Sequence, residues 1–513
     1  MAKDKILRLI LGDQLNEKHS WFKKPDKGVT CVLMEIRQET DTVKHHIQKV
    51  VAFFAAMRAF AQRLQALGHT VIYIRLDETN NQQTIEGNIK RLIEKKRFTR
   101  FEYLLPDEYR LDVQLRDFAQ ALPVGVEVHD TEHFLTQRQD LQDFFRGKQR
   151  YLMESFYRWM RKKYHILMED RRPAGGRWNY DLRNRRRYDG RVPIPEAVCF
   201  ANDVTDIYQM IVCQKVNTFG RIRPNQLIWP TTRPQALTLL QAFVRNGLQQ
   251  FGTYQDAMTT RSAFLFHSRI SFALNTKMLH PLEVIESAVR SWKEQKPKIK
   301  IQQIEGFVRQ ILGWREYMRG VYWALMPEIA GTNFFDHAAA LPNYYWTAET
   351  RMRCMQQSLN QSLEHAYAHH IQRLMVTGNF ALLAGVHPDE VDQWYLGVYI
   401  DAIQWVELPN TRAMSQWADG GRVATKPYVS SANYIHKMSD YCGQCAYDHK
   451  KSFGGDACPF NCLYWDFFDR HRDKLQKNPR IGMMYRNWDR KEKNEKIRIL
   501  KQAEAYKRDL NNL

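Results

Sequence analysis

The sequence predicts an α/β unit followed by a larger all-helical unit, and three observations support this. Short β-like segments alternate with helical ones over the first 130 residues, which is typical of a parallel sheet with helices on both faces. Apolar residues recur at helical spacing, punctuated by Pro and Gly, from Arg221 almost to the end. A chain of 513 residues also exceeds the size at which a single core stops growing. We therefore expect domains at 1–130 and 221–513, joined by a linker at 131–220.

The predicted sheet rests on five β-like segments. These are Ile6–Leu11, Val29–Ile36, Thr70–Arg75, Arg100–Leu105 and Val126–His129. Helices are expected between them at Lys44–Leu67, Ile85–Lys95 and Leu111–Ala121, and further on at Pro234–Gly247, Ile301–Leu312, Glu349–Val376 and Pro388–Ala402. Neither GxGxxG nor GxxxxGK[ST] follows the first strand, which argues against a typical dinucleotide fold and against a P-loop.

The composition indicates a cytoplasmic protein with a polyanionic partner. There is no signal-peptide pattern at the start and no apolar run of membrane-spanning length. Lys and Arg outnumber Asp and Glu by 76 to 56, a net charge of +20. Such an excess favours nucleic-acid binding, because contacts to phosphates release counterions. A basic surface without a partner is the alternative.

The segment Arg171–Arg191, RRPAGGRWNYDLRNRRRYDGR, is a very basic loop with aromatic residues among its arginines. That mixture suits phosphate contacts combined with base stacking or wedging. Arg177, Trp178, Tyr180 and Arg183 are the candidate DNA contacts. A solvated basic linker explains the same composition equally well.

Four of the eight cysteines lie close together at Cys442, Cys445, Cys458 and Cys462, with the spacing C-x2-C-x12-C-x3-C. In a reducing compartment such a group indicates a metal site instead of disulfides. Structural zinc and an iron–sulfur cluster both use thiolate ligands, and the spacing leaves both open. Cys354 is a further candidate for the fourth ligand.

Two further groups could carry chemistry. His370 and Arg373 are three apart on a predicted helix and would share a face that handles protons and binds an anion. An aromatic group comprises Trp394, Tyr395 and Tyr399, with Trp346 upstream. Core packing explains most of the 13 tryptophans, and a redox role requires a nearby acceptor such as flavin.

Several motifs together resemble those of the iron–sulfur bacterial cryptochromes and photolyases, the prokaryotic (6-4) photolyase family. They occur in the family order over essentially the whole chain: LILGDQL at Leu9–Leu15, GGRWNYDLRNR at Gly175–Arg185, HSRIS at His267–Ser271, GWREYMRG at Gly313–Gly320, HxxR at His370–Arg373, and Cys354 with CGQC and ACPFNC. No single motif would suffice, but their joint occurrence is highly specific.

The resemblance implies that the helical domain binds FAD. The residues expected to contact it are Tyr254, His267, Ser268, Arg269, Ile270, Ser271, Arg315, Asp401, Glu407 and Asn410. Glu407 is expected to face the flavin N5, where other photolyases usually carry asparagine. Trp394, Tyr395 and Tyr399 fall where the family places its photoreduction route, with Trp346 between the cluster and flavin regions.

The resemblance also implies two further cofactors. A 4Fe–4S cluster would be held by Cys354, Cys442, Cys445 and Cys458, which leaves Cys462 outside. The α/β domain would bind an antenna, typically 6,7-dimethyl-8-ribityllumazine, with Asp13, Glu35 and His45 or His46 as plausible contacts.

The function implied is light-dependent repair of (6-4) pyrimidine–pyrimidone photoproducts in UV-damaged DNA by a monomeric lyase. His370 would supply a proton, and Arg373 and Tyr428 would orient it or the lesion. A cryptochrome-like blue-light photoreceptor with the same cofactors is one alternative. A zinc-containing DNA-binding protein without enzymatic activity is the other.

Overall fold

The computed structural model describes residues 5–513, and its N-terminal part is built on a five-stranded parallel sheet. The strands are β1 Ile6–Leu9, β2 Val29–Met34, β3 Thr70–Ile74, β4 Arg100–Leu104 and β5 Gly125–His129. Their order is β3-β2-β1-β4-β5, and every neighbouring pair is parallel. All five predicted strands are confirmed, each with ends within two residues of the expected bounds.

Helices cover both faces of this sheet, as a parallel sheet requires. Helix α1, Ile47–Ala66, packs with Cys31 and Leu33 of β2 in the main core of the protein. Helices α2, Ile85–Lys96, and α3, Tyr109–Gln120, enclose a second, smaller core on the opposite face. In β2, alternate residues therefore belong to different cores, with Cys31 and Leu33 in the main core and Val32 and Met34 in the smaller one.

The segment 131–220 connects the two domains but is partly structured. It contains helices Asp140–Phe144, Met153–Tyr164 and Thr205–Cys213, and the short strand Thr218–Phe219 pairs with His45–His46. Residues of this segment such as Tyr157 and Met160 lie in the main core. The segment is therefore a packed connection between the domains.

Residues 221–513 form the all-helical domain. Its α-helices are Arg233–Ala242, Leu248–Tyr254, Ser271–Asn275, Pro281–Glu294, Ile301–Val308, Glu316–Leu325, Tyr344–Thr347, Arg353–His365, His370–Gln372, Asn379–Ala384, Pro388–Val398, Gln404–Leu408, Ala432–Met438, Pro459–Arg470, Arg472–Leu475, Gly482–Asp489 and Lys493–Arg508. Four π-helical turns continue some of them, at Phe243–Gly247, Arg309–Arg315, Arg373–Gly378 and Pro409–Ser415. Such turns are rare and recur at functional sites.

The single helix predicted over Glu349–Val376 is wrong, because the chain leaves the helix at Ala366, whose φ is +49°. Side chains from elsewhere in the chain bind the carbonyl groups at the end of Arg353–His365. His46 and Gln48 bind the carbonyl oxygens of Leu363 and Glu364 at 2.9 and 2.7 Å. These tertiary hydrogen bonds replace those that a longer helix would make, and local sequence carries no sign of them.

A buried lysine joins the two domains. The Lys277 ammonium group, in the helical domain, lies 2.9 Å from the Asp13 carboxylate and 2.8 Å from the Asp107 carboxylate, both in the α/β domain. Burial raises the pKa of Asp13. Burial also acts to raise the pKa of Asp107, but Lys277 and Arg319 outweigh it and the pKa is lowered. The Lys277 cation therefore compensates two carboxylates that are removed from water.

The substitution Lys277→Ala should destabilise the protein by about 3–5 kcal/mol, because it leaves two buried carboxylates without their cation. The free energy of unfolding from urea titration measures this. The control is Arg508→Ala, which removes an exposed ion pair with Glu504 and should cost less than about 1 kcal/mol. Equal losses in the two variants would show that Lys277 does not hold the domains together.

Candidate active site

The centre of the candidate site is the Arg373 guanidinium, which is largely buried and lies between two carboxylates. Its Nη2 donates to Asp401 Oδ1 at 2.9 Å, and its Nη1 lies 3.7 Å from Glu407 Oε2. The guanidinium also lies over the Tyr399 ring, 3.7 Å from the ring centroid. The sequence did not predict this grouping, since it assigned Arg373 to the lesion and Asp401 and Glu407 to the flavin.

The electrostatics of this cluster are balanced by burial and mutual attraction. Burial raises the pKa of Glu407, and Thr411 Oγ1 donates to Glu407 Oε1 at 2.8 Å. Burial opposes the charge on Arg373, but Asp401 and Glu407 more than compensate and its pKa is raised. Lys49 of α1 is also buried nearby, and burial lowers its pKa to about 8. Two carboxylates and two cations therefore share one water-poor region.

A chain of hydrogen bonds connects Arg315 to this cluster. Arg315 Nη1 donates to Asn275 Oδ1 at 2.5 Å, and Asn275 Nδ2 donates to the Asp401 carbonyl oxygen at 2.7 Å. The Arg315 guanidinium lies 4.7 Å from the centroid of the Trp405 ring, and burial lowers its pKa to about 10. Arg315 and Asp401, both predicted flavin contacts, thus belong to one network. Sequence reasoning missed Asn275, which joins them.

Polar atoms around this network suit a large polar ligand. Within residues 5–513, the buried Arg315 Nε, Trp405 Nε1 and both ring nitrogens of His369 have no hydrogen-bond partner. Buried polar atoms are nearly always paired, so these donors and acceptors fit a cofactor that carries complementary groups. An isoalloxazine ring with its carbonyl oxygens and ring nitrogens meets this requirement beside aromatic and cationic side chains.

The other predicted flavin contacts differ in exposure. His267, Ser268 and Ser271 are partly exposed, and Ile270 precedes the helix Ser271–Asn275. The buried Arg269 donates to the Val198 carbonyl oxygen and lies 4.2 Å from the centroid of the Phe264 ring.

Two other predicted contacts are engaged within the protein. Tyr254 stacks on Phe266 with ring centroids 5.3 Å apart. Asn410 Nδ2 donates to the Val406 carbonyl oxygen at 2.7 Å. In this structure, Arg269, Tyr254 and Asn410 thus all make protein contacts.

His370 begins the short helix that leads into Arg373. Its side chain is exposed, yet the surrounding protein and then the Arg373 charge lower its pKa to about 4. Its neighbour His369 is buried and stacks on His267, with ring centroids 4.6 Å apart. Tyr428 is half-buried, and Arg185 and Asp181 are the charged groups that most affect its pKa, which burial raises. A neutral, accessible imidazole therefore stands one helical turn from the buried cation.

Three of the four aromatic residues predicted for electron transfer, Trp394, Tyr395 and Tyr399, form a buried group in contact with Arg373. The Trp394 ring centroid lies 5.2 Å from that of Tyr395 and 5.9 Å from that of Tyr399. Trp346 packs instead against Phe219, with ring centroids 4.9 Å apart. Stepwise transfer is favoured by such close ring contacts.

Two tyrosines that sequence reasoning missed connect the aromatic group to the cysteines. Tyr345 contacts Trp394 with ring centroids 5.1 Å apart, and Tyr344 stacks on Tyr345 at 5.6 Å. Tyr344 lies near Cys354: burial raises the pKa of its hydroxyl, and the Cys354 thiol adds to the effect. Aromatic rings thus run from the cysteines to Arg373. The sequence signal was present in the run Tyr344-Tyr345-Trp346, of which only the tryptophan was singled out.

Four cysteines line one buried cavity: Cys354, Cys442, Cys445 and Cys458. Burial raises the pKa of the Cys354, Cys442 and Cys458 thiols, to about 11 for Cys442, so that a bound cation is needed to favour the thiolate forms. In the described residues, no three of the sulfur atoms lie within 4.8 Å of one another. Four thiolates on one zinc ion would be about 3.8 Å apart, because each Zn–S bond is about 2.3 Å.

Cys462 is excluded from this cavity. It is fully buried in the helix Pro459–Arg470, and its Sγ donates to the Pro459 carbonyl oxygen at 3.4 Å. Cys458 immediately precedes that helix, so the two cysteines point into different surroundings. The spacing of the sequence alone permitted Cys462, but in the fold Cys354 lines the cavity with the other three cysteines and Cys462 does not.

The antenna candidates do not form one site. The buried Glu35 carboxylate is engaged by Arg58 and Tyr73, each at 2.7 Å, and Asp13 is paired with Lys277. The ring of His46 binds the carbonyl oxygen of Leu363. His45 is buried as well, and burial lowers its pKa. These side chains therefore do not fit the expected contacts to an antenna.

The basic loop lies partly on the surface, but its aromatic residues do not. Arg177 and Arg183 are exposed, as expected of DNA contacts. Trp178 is half-buried beside Arg161, whose guanidinium lies 5.3 Å from its ring centroid. Tyr180 is buried, and its hydroxyl donates to the Gly175 carbonyl oxygen at 2.7 Å. Tyr180 therefore anchors the loop, which corrects the expectation that it contacts DNA.

Comparison with known proteins gives consistent matches. A protein-family model described as "Deoxyribodipyrimidine photo-lyase-related protein" matches residues 8–227. The chain is 41% identical over 511 residues to a protein of Agrobacterium fabrum named (6-4) photolyase, which covers 98% of this chain and 99% of that protein. An uncharacterised protein of Acanthamoeba polyphaga mimivirus is 31% identical over 123 residues, 24% of this chain and 91% of that protein.

Two solved structures share the fold over nearly the whole chain. A bacterial class III photolyase from Agrobacterium tumefaciens superposes with a TM-score of 0.60 at 14% identity, covering 99% of this chain and 97% of that one. A cryptochrome from Synechocystis superposes with a TM-score of 0.59 at 12% identity, covering 99% of both chains. Among residues 5–513, no helix is both long and apolar enough to span a membrane.

The cysteine geometry predicts which thiol binds the metal. Cys354→Ala should remove most of the bound metal because it deletes one side of the cavity, whereas Cys462→Ala should retain it. Iron and zinc per chain in the purified variants measure this. Metal loss in Cys462→Ala together with retention in Cys354→Ala would contradict the assignment.

Proposed function

The chain belongs to the (6-4) photolyase family, and on that basis we propose that it repairs (6-4) pyrimidine–pyrimidone photoproducts in DNA with light. The observation that carries the proposal is the similarity over nearly the full length to the Agrobacterium (6-4) photolyase. The alternative is a cryptochrome-like photoreceptor, since the same fold occurs in the Synechocystis cryptochrome. The exposed His370 and the basic loop favour repair.

Reduced FAD, when bound, would supply the electron that splits the lesion on absorption of light. The residues that would hold it are those of the Arg373 network together with Arg315 and Asn275. Arg373 lies between Asp401 and Glu407 and fixes the positions of their side chains. The same buried surroundings would exclude water from the reacting ring.

His370 is the proposed proton source at the lesion. With a pKa of about 4, its imidazole is neutral at pH 7, so it donates an N–H hydrogen bond to the lesion. When that proton is transferred, the other ring nitrogen takes up a proton from the solvent to which the side chain is exposed. A lesion that is flipped out of the duplex would reach this exposed ring, and flipping costs least at a damaged site that is poorly stacked. The half-buried Tyr428 is proposed to orient the lesion beside it.

We infer that Cys354, Cys442, Cys445 and Cys458 hold a 4Fe–4S cluster. Two facts support this: the four thiols line one cavity, and the chain is 41% identical over nearly its full length to the Agrobacterium (6-4) photolyase. The rings of Tyr344, Tyr345 and Trp394 would connect the cluster electronically to the flavin region. This arrangement also argues against the zinc-containing DNA-binding protein considered above.

A lumazine antenna in the α/β domain is proposed on resemblance alone. The predicted contacts Asp13, Glu35 and His46 are all engaged within the protein, so other groups of that domain would have to bind the antenna. The DNA partner, the cytoplasmic location and the monomeric state are proposed on the same resemblance, and the net charge of +20 supports the first of these.

Illumination of the reduced protein with an oligonucleotide that contains one (6-4) photoproduct should yield undamaged DNA, measured by chromatography of the digested product. His370→Ala should lower the repair rate by about 100-fold or more, the usual contribution of general acid catalysis. The control is His165→Asn, which changes an exposed histidine of the segment 131–220 and should repair normally.

The pH dependence gives a second check on the same residue. Because the folded-state pKa of His370 is lowered to about 4, its protonated form is populated only as the pH falls toward that value. The profile of kcat/KM, which reports the free enzyme, should therefore show no step from His370 between pH 6 and 8. No repair by the wild type, or equal repair by His370→Ala, would contradict the proposal.

A further inference from the structure

Leu182 is an unusually exposed apolar side chain in the middle of the basic loop. It is 97% exposed, whereas the next most exposed large apolar residue of the described chain, Met483, is 58% exposed. A single exposed leucine is common on protein surfaces and needs no explanation by itself. What distinguishes Leu182 is that the residues on both sides of it are firmly held.

The loop is anchored by buried groups immediately before and after Leu182. The Tyr180 N–H donates to Glu305 Oε2 at 3.0 Å. The Asp181 carboxylate accepts from Arg309 Nη2 at 2.5 Å. On the other side, the buried Asn184 donates from Nδ2 to the Gln302 carbonyl oxygen at 3.2 Å. All three contacts reach the helix Ile301–Val308 and the π-helical turn that continues it, so Leu182 projects from a fixed turn. Little conformational entropy would then be lost when it binds.

Positive charge surrounds this apolar tip. Five arginines that are exposed to solvent lie within five positions of it: Arg177, Arg183, Arg185, Arg186 and Arg187. Arginines of this kind contact phosphates and fix the register of a duplex without reading its sequence. An apolar side chain between phosphate-binding arginines is the arrangement that proteins use to separate neighbouring base pairs.

The tip also lies beside the candidate active site. Asp181 and Arg185 are charged neighbours of Tyr428. In addition, a Cβ atom at Gly252 would lie only 3.0 Å from the Asn184 amide, so the loop packs directly on the helix Leu248–Tyr254. Just beyond that helix, the Gln255 carbonyl oxygen binds the His267 ring at 3.1 Å, and His267 stacks on His369. The loop is thus separated from the pair His369–His370 by a short series of contacts.

We propose that Leu182 is a wedge that enters the DNA duplex at the position from which the lesion is flipped out. Its side chain fills the space left between the flanking base pairs, while the arginines grip the phosphates on either side. The role concerns double-stranded DNA only, because a single strand has no partner base to separate. This inference rests on the proposed function, in that it assumes a lesion in duplex DNA as the substrate.

The test compares Leu182→Ala with Leu182→Met on one lesion presented in two forms, a duplex and a single strand. In Leu182→Ala, binding of the duplex should weaken by about tenfold or more, since the inserted apolar surface is lost, and the duplex should be repaired correspondingly less well at low concentration. The single strand should be bound and repaired as by the wild type. Leu182→Met keeps an apolar side chain of similar size and should behave as the wild type on both. The control is Val212→Ala, which shortens another exposed apolar side chain, 55% exposed on the helix Thr205–Cys213. It should bind and repair both DNA forms as the wild type does.

A dark measurement separates this inference from the proposed function. Fluorescence of 2-aminopurine placed opposite the lesion should rise when the wild type binds the duplex, and should rise much less with Leu182→Ala at saturating protein. This readout needs no light-driven step. If the wild type repairs neither DNA form, the proposed function fails, and the fluorescence still decides whether Leu182 opens the duplex. Equal fluorescence in the two proteins, or equal weakening of Leu182→Ala on both DNA forms, would overturn the wedge.

Discussion

The structure depends on one buried cation, the Arg373 guanidinium between Asp401 and Glu407. A carboxylate taken out of water is costly unless it is paired, so the two acids and the arginine can be buried only together. Arg373 also lies over Tyr399, and through Tyr399 it contacts the buried aromatic group. The charged cluster thus fixes where the flavin region, the aromatic residues and the exposed His370 meet.

The charged cluster around Arg373 is also linked to the packing of the two domains. Asp401 is connected through Asn275 to Arg315, and Lys277, two residues after Asn275, is clamped by Asp13 and Asp107 of the α/β domain. The close approach of the domains is visible at Gly397, where a Cβ atom would lie 2.2 Å from the Lys44 carbonyl oxygen. The position of the site therefore depends on the docking of the whole α/β domain as well as on the helices that carry it.

Much of the architecture could be predicted from the sequence. The five strands follow from β-like segments separated by helices, and the family motifs identified Arg315, Asp401 and Glu407 as members of one region. What could not be predicted depends on contacts between distant segments. The helix at Arg353–His365 ends where it does because His46 and Gln48 bind its last carbonyl groups, and no local pattern encodes those contacts.

The contacts of individual side chains in the site could not be predicted from the sequence either. Tyr180 was expected to face DNA because it lies among arginines, but the fold buries it against Gly175. Cys354 and Cys462 were equivalent by spacing and were separated only by the family resemblance, whereas in the fold Cys354 alone of the two lines the cavity. No local sequence pattern predicts the π-helical turns that carry Arg315 and Arg373.

The flavin content of Arg373→Met tests the central claim most directly. Without the guanidinium, Asp401 and Glu407 would repel each other and an electron-rich flavin, so the account predicts that the variant is purified with most of its FAD lost. Absorbance of the released flavin gives the amount per chain, and circular dichroism confirms that the helices remain. A folded Arg373→Met variant with one FAD per chain would contradict the account.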